Sequence, residues 1–140
     1  MSEINDPAVI ERLIRTPATW AVVGLSNNRA RAAYGVAAYL QGIGKTIVPV
    51  HPKAEAVHGA TGYATLADVP GDVAVDVVDV FVNAELAGAV VDEAIARGAK
   101  AVWMQLDVVD QAAARRALDA GLDVVMDRCP AIEGPRILAS

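Results

Sequence analysis

Apolar side chains recur along this chain in two rhythms. Five runs are short, Val-rich and nearly continuous: residues 20–25, 46–50, 75–82, 101–106 and 123–126. They do not alternate strictly with polar residues, which is the pattern of strands covered on both faces in a parallel sheet. Between them the spacing becomes helical. Residues 32–41 gather Val36, Ala37, Tyr39 and Leu40 on one side. Residues 85–97 gather Leu86, Val90 and Ala94, and residues 110–120 carry Ala113, Ala114, Ala117 and Leu118 behind Asp110 as N-cap. Gly42 or Gly44, Gly98 and Gly121 stand where a left-handed residue ends a helix. A first helix is expected over 6–15, with Asp6 as cap and Pro7 at its first position, and a short helical turn is expected within 131–138.

Strand–helix–strand units repeated in this way predict an α/β fold. The expectation is a single Rossmann-like, doubly wound domain with a five-stranded parallel sheet in the order 3-2-1-4-5. The link 52–72 between the second and third strands is irregular, holding Gly59, Gly62, Pro70 and Gly71, with a short helix near 66–68. Residues 1–140 read as one domain: an N-terminal helix in 1–18, a core over 19–133 and a tail over 134–140.

Composition narrows the classes. A chain that is 54% hydrophobic and 21% charged buries a core and is not disordered, and with only 4% aromatic residues Ala and Val must fill it. The net charge of −5 argues against a nucleic-acid partner, so any anion must be held by a local cluster of cations. Cys129 is the only cysteine, which excludes an intramolecular disulfide and a cysteine-based metal cluster. The first residues carry acids and lack the apolar core of a signal peptide. No run reaches the roughly 18 apolar residues of a membrane span, so a cytoplasmic protein with no membrane partner is expected.

Ligands of open α/β sheets bind beyond the carboxyl ends of the strands. After the first strand stands "GLSNNRAR", with Gly24, Ser26, Asn27, Asn28, Arg29 and Arg31 before a helix, a setting that favours phosphate. The dinucleotide fingerprint G-x-G-x-x-G is absent: the next glycine after Gly24 is Gly35. The second strand ends "IVPVHPK". An NAD site calls for an acid here, whereas Lys53, on a turn stiffened by two prolines, attracts phosphate. Phe81 and Asn83 end the third strand, positioned to flank a base or a pantetheine chain. Asp76 and Asp79 within that strand read either as a catalytic pair or as carboxylates bonded to nearby backbone. His51 and His58, far from Cys129 in sequence, form no metal-ligand pattern. Cys129, beside Arg128, reads either as a reactive thiol or as a packing residue.

Taken together and in order, "AVVGLS", "YGVAAYL", "IVPVHPK", "GYATLADVP", "VDVVDVFVNAE", "GAKAVWMQLDVV" and "AGLDVVMDRCPAIE" resemble the stand-alone coenzyme A-binding proteins. These are small Rossmann-like domains similar to the nucleotide-binding domain of the succinyl-CoA synthetase alpha subunit. The resemblance implies that the turn Gly24–Asn28, with Leu25, Ser26 and Asn27 within it, contacts CoA phosphates, with Ser26 a direct donor. It implies a nearby phosphate or ribose contact from Arg31, with Arg29 the competing arginine. It implies that Lys53 lies by the adenosine phosphate end, with Val50 and Pro52 also among the cofactor-binding residues, and that Phe81, Val82 and Asn83 lie along the nucleotide. Gln105 and Arg128 fall on the same rim. Two positions depart from the family: Asp107 stands where a glycine is common after "WMQL", and Gly134 where a histidine is common after "IE". The ligase's phosphohistidine domain and ATP-grasp subunit have no counterpart in these residues, so the ligase reaction does not carry over.

The sequence thus supports a non-catalytic module that binds CoA or acyl-CoA. The alternative is an NAD(P)- or acyl-CoA-dependent enzyme using the same pocket with Cys129 as a reactive thiol. A third reading is an interaction module that senses CoA for a protein partner. A homo-oligomer is compatible with all three.

Overall fold

A computed structural model describes residues 3–139. Residues 1, 2 and 140, which the expected N-terminal segment and tail include, lie outside the described residues. The elements run α1 (Pro7–Arg15), β1 (Thr19–Val23), α2 (Ala32–Gly42), β2 (Thr46–Val50), β3 (Val77–Val80), α3 (Ala84–Arg97), β4 (Ala101–Met104), α4 (Gln111–Asp119), β5 (Asp123–Val125) and α5 (Pro130–Leu138). A single 3-10 turn, Leu66–Asp68, interrupts the long link after β2, closed by a capping box between Thr65 and Asp68.

The sheet is parallel throughout, and side chains alternate between two cores. Ala21, Val48, Val78, Val80, Val102 and Val124 face α3 and α4. Trp20, Val22, Ile47, Val77, Ala101, Trp103 and Val125 face α1, α2 and α5. Both faces are buried, which is why the strands lack a polar phase. The rings of Trp20 and Trp103 pack 5.5 Å apart on the second face. The caps behave as the sequence predicts. Asp6 accepts from Ala8 N, Asp110 accepts from Ala113 N, and Gly98 closes α3 at φ +80°.

The strand order is β2-β1-β3-β4-β5, and not the expected 3-2-1-4-5. The third strand pairs with β1, where Trp20 aligns with Val77, instead of outside β2. The reason is Pro49. Its carbonyl faces outward and accepts from Tyr63 N, so its missing N–H also faces outward, which is tolerable only on an edge strand. The link covers that edge with a single bridge at Tyr63 instead of a full strand. At the opposite edge the side chain of Asn5 both donates to Met126 O and accepts from Met126 N, and Asn5 N donates to Val124 O.

The tail is more ordered than the expected turn. It forms the nine-residue helix α5, packed on α1 and α2, with Pro130 in its first turn. Gly134 explains the close fit: a Cβ there would lie 2.1 Å from Tyr39 Oη. The end of the Tyr39 ring fills the space that a side chain at 134 would take, so the glycine and the tyrosine compensate one another. Asp76 and Asp79 do not pair. Asp76, just before β3, accepts from Thr19 N and meets Lys100, while Asp79 is fully buried within the strand.

Candidate anion-binding cleft

The switch point of this sheet lies between β1 and β3, where successive crossovers leave in opposite directions. A cavity of about 550 Å³ opens there, beyond the carboxyl ends of β1, β2 and β3. Gly24 forms its floor. Its φ is +106°, and an added Cβ would come within 3.1 Å of Phe81 Cβ and 3.2 Å of Phe81 O. Gly24 N donates to Val50 O, and beside it Phe81 N donates to Val23 O, so three strand ends meet at this point. Only glycine permits that approach in this conformation.

The turn beyond Gly24 is held by its own polar side chains. Ser26 Oγ accepts from Asn28 N and Asn28 Oδ1 from Ala30 N. This leaves α2 starting at Arg31 with no side-chain cap. The start of α3, at Asn83, is likewise uncapped. Arg31 and Asn83 both line the cavity, so two helices open their unsatisfied N–H groups and positive dipole ends onto it. Arg31 and Lys53 add charge, and neither meets a carboxylate among the described residues. The arrangement suits a polyanion.

Of the residues anticipated from sequence, Gly24, Ser26, Arg31, Val50, Pro52, Lys53, Phe81, Val82 and Asn83 line this one cavity. Five stand outside its wall, for local reasons. The side chain of Leu25 is buried in the Trp20 core and anchors the turn. Asn27 is bound to the link, its N–H donating to Glu55 and its amide to Ala56 O. The guanidinium of Arg29 lies over the Tyr34 ring, 5.7 Å from its centroid. Gln105 and Arg128 end β4 and the β5 segment farther along the edge. Gln105 is buried, and Arg128 donates to Asp127 O and accepts from Trp103 Nε1. Cys129 is also outside the wall, buried at the start of α5.

Asn28, the last residue of the anticipated turn, also lines the cavity, whereas sequence reasoning left out Val23, Ala32, Ala33, His51, Ala64 and Leu86. His51 had a readable signal, since it immediately follows β2. Its Nδ1 accepts from Lys53 N, which assigns the ring proton of the neutral form to Nε2. Ala64 had none: it reaches the cavity only because the link returns to bridge Val50.

Asp107 sits at φ +66°, its N–H donating to Asp127 Oδ1, and Asp127 is left-handed as well at +59°. A glycine at position 107 is therefore a backbone requirement, which aspartate meets with strain. Asp107→Gly is expected to stabilise the fold by about 0.5–1 kcal/mol, the left-handed cost less the entropy cost of glycine. The urea midpoint checks it; a lower midpoint would show that the Asp107 side chain contributes more than its backbone costs.

No helix among the described residues is long and apolar enough to cross a membrane, and no cluster among them is arranged to hold a metal ion. A hypothetical protein from Pyrococcus horikoshii OT3 has the same architecture, with a TM-score of 0.88 and 35% identity over 95% of this chain and 92% of that one. A dinucleotide-forming acetyl-coenzyme A synthetase from Ca. Korarchaeum cryptofilum shares the fold over 27% of its own length, with a TM-score of 0.71 and 24% identity. The uncharacterized protein YneT of Bacillus subtilis (strain 168) is 30% identical over 122 residues, covering 87% of this chain and 89% of that protein. Residues 18–135 match the family described as CoA binding domain, and with its glycine-floored cleft and paired helix starts the chain belongs to that family.

Proposed function

We propose that this protein binds coenzyme A or an acyl-CoA in the cleft between β1, β2 and β3, without catalysis of its own. The observation that carries the reading is the meeting of two uncapped helix starts with two unpaired cations on one cavity. In this reading the pyrophosphate lies on the α2 N-terminus near Ser26 and Arg31, and Lys53 meets the adenosine phosphate end. Phe81, Val82 and Asn83 flank the nucleotide. His51, Pro52 and Lys53 follow β2 with no acid among them for a ribose diol, which disfavours NAD. Cys129 is a packing residue here, since a buried thiol outside the wall is shielded from attack.

Thermal unfolding with CoA, 3′-dephospho-CoA, NAD and NADP tests the reading. CoA at a hundredfold its dissociation constant is expected to add about 2.7 kcal/mol of stability, with a smaller gain from the dephospho form. A clear response to NAD with none to any CoA species would sink it.

A further inference from the structure

His51 stands on the cleft wall with every polar group but one already engaged. Its backbone N–H donates to Tyr63 O, and its carbonyl accepts from Ala54 N at 2.7 Å. Its ring Nδ1 accepts from Lys53 N at 3.1 Å. A nitrogen that accepts carries no proton, so the neutral ring keeps its hydrogen on Nε2. That Nε2–H has no partner among the described residues.

The bond to Lys53 N shapes the turn. The segment from His51 to Ala54 is closed once by the backbone, through Ala54 N and His51 O, and a second time by the imidazole. A side-chain acceptor that takes the N–H two residues on is what Asn or Asp supplies in an Asx turn. Between the two bonded residues, Pro52 fixes its own φ and has no N–H to offer. Ala54 then leaves the turn in the left-handed region, at φ +50°. The backbone of Lys53 is thus set by the ring of His51, while its side chain is exposed and meets no carboxylate among the described residues.

The open donor faces a surface without competing acids. No aspartate or glutamate is among the residues that line the cavity. Ser26 and Arg31 belong to the loop after β1, whereas His51 and Lys53 belong to the loop after β2. The cavity therefore has a second group of donors, apart from the first: one ammonium and one imidazole N–H, two residues apart. A phosphomonoester offers three terminal oxygens and accepts from both.

We propose that His51 is a positioning and specificity residue of the cleft: its Nδ1 fixes the turn that carries Lys53, and its Nε2–H joins the Lys53 ammonium on a phosphomonoester carried by the ligand's ribose. This rests on reading the cleft as a CoA site, and it makes the 3′-phosphate the group that the β2 side selects.

Two variants separate the roles. His51→Asn keeps an acceptor for Lys53 N and loses the distant donor. His51→Leu loses both. His51→Asn is expected to bind CoA roughly tenfold more weakly than wild type, and 3′-dephospho-CoA within about twofold of it, as one hydrogen bond to a charged group is lost. Adding Lys53→Ala is expected to cost His51→Asn the same further factor that it costs wild type, and to cost His51→Leu severalfold less, because only the Leu variant has already released the turn. Histidine-selective 15N NMR of the wild type should show His51 protonated at Nε2, with that signal moving on addition of CoA and not of 3′-dephospho-CoA. The chain has two histidines, so the His51→Asn spectrum assigns the signal.

Wild-type CoA affinity in His51→Asn overturns the donor role. An equal loss against CoA and 3′-dephospho-CoA overturns the assignment to the 3′-phosphate. An equal cost of Lys53→Ala in the Asn and Leu backgrounds, or a ring protonated at Nδ1 alone, overturns the positioning role. Absence of CoA binding by the wild type is a different result: it removes the reading of the cleft, and this assignment with it.

Discussion

Gly62→Ala is expected to destabilise the protein by about 3 kcal/mol, at the upper end of the cost of forcing an atom into packed structure. The added Cβ would lie 2.0 Å from Glu55 O, 2.7 Å from Glu55 C and 3.1 Å from Ala54 C. All three are backbone atoms, so no side chain can swing aside. The segment they belong to is already constrained, with Ala54 at φ +50° and His58 at +51°. It also holds the turn that follows Gly24, since Asn27 bonds Glu55 Oε1 and Ala56 O. The damage should therefore reach the cleft: urea unfolding should show the loss of stability, and a CoA titration should show weaker binding in the fraction that remains folded. Stability within about 0.5 kcal/mol of wild type would mean that the 54–62 loop opens freely and does not brace the turn.

Arg31→Ala and Lys53→Ala are expected to weaken CoA binding by roughly 10- to 150-fold each, the range of one charge-assisted hydrogen bond. Both side chains are exposed and make no ion pair in the folded protein. The unfolding midpoint of the free protein should thus change little, which separates loss of binding from loss of fold. The two variants should also differ. Lys53→Ala should lose much less against 3′-dephospho-CoA than against CoA, whereas Arg31→Ala should lose similarly against both. Arg29→Ala is the control, because its guanidinium is engaged on Tyr34. Wild-type affinity in both Arg31→Ala and Lys53→Ala would remove the phosphate site from this cleft.

The local features were legible because they are written locally. β2 falls on the expected residues, and the other strands lie within theirs except for Thr19 at the start of β1. The apolar runs overestimate the ladders because Leu25, Phe81 and Leu106 continue the hydrophobic pattern into the turns. The helix caps at Asp6 and Asp110 depend on a side chain and an N–H only two or three residues away, so sequence contains the whole interaction. The turn that lines the cleft was legible from its position after the first strand and its polar residues. The choice between Arg29 and Arg31 was not legible. They are two residues apart in one loop, and what separates them is a ring on the next helix and the point at which α2 begins.

The sequence by itself determined the α/β class and the parallel sheet, because periodicity and two-sided burial are properties of each segment alone. It even held the evidence against a central β2, in Pro49, whose missing donor belongs on an edge. Only the tertiary structure decided the order of the strands, the two uncapped helix starts on one cavity, and the burial of Trp20, Asp79 and Gln105 together. Each of these depends on which distant segments become neighbours. That is settled by the packing of whole layers and the closure of long links such as the one after β2, which no local pattern records.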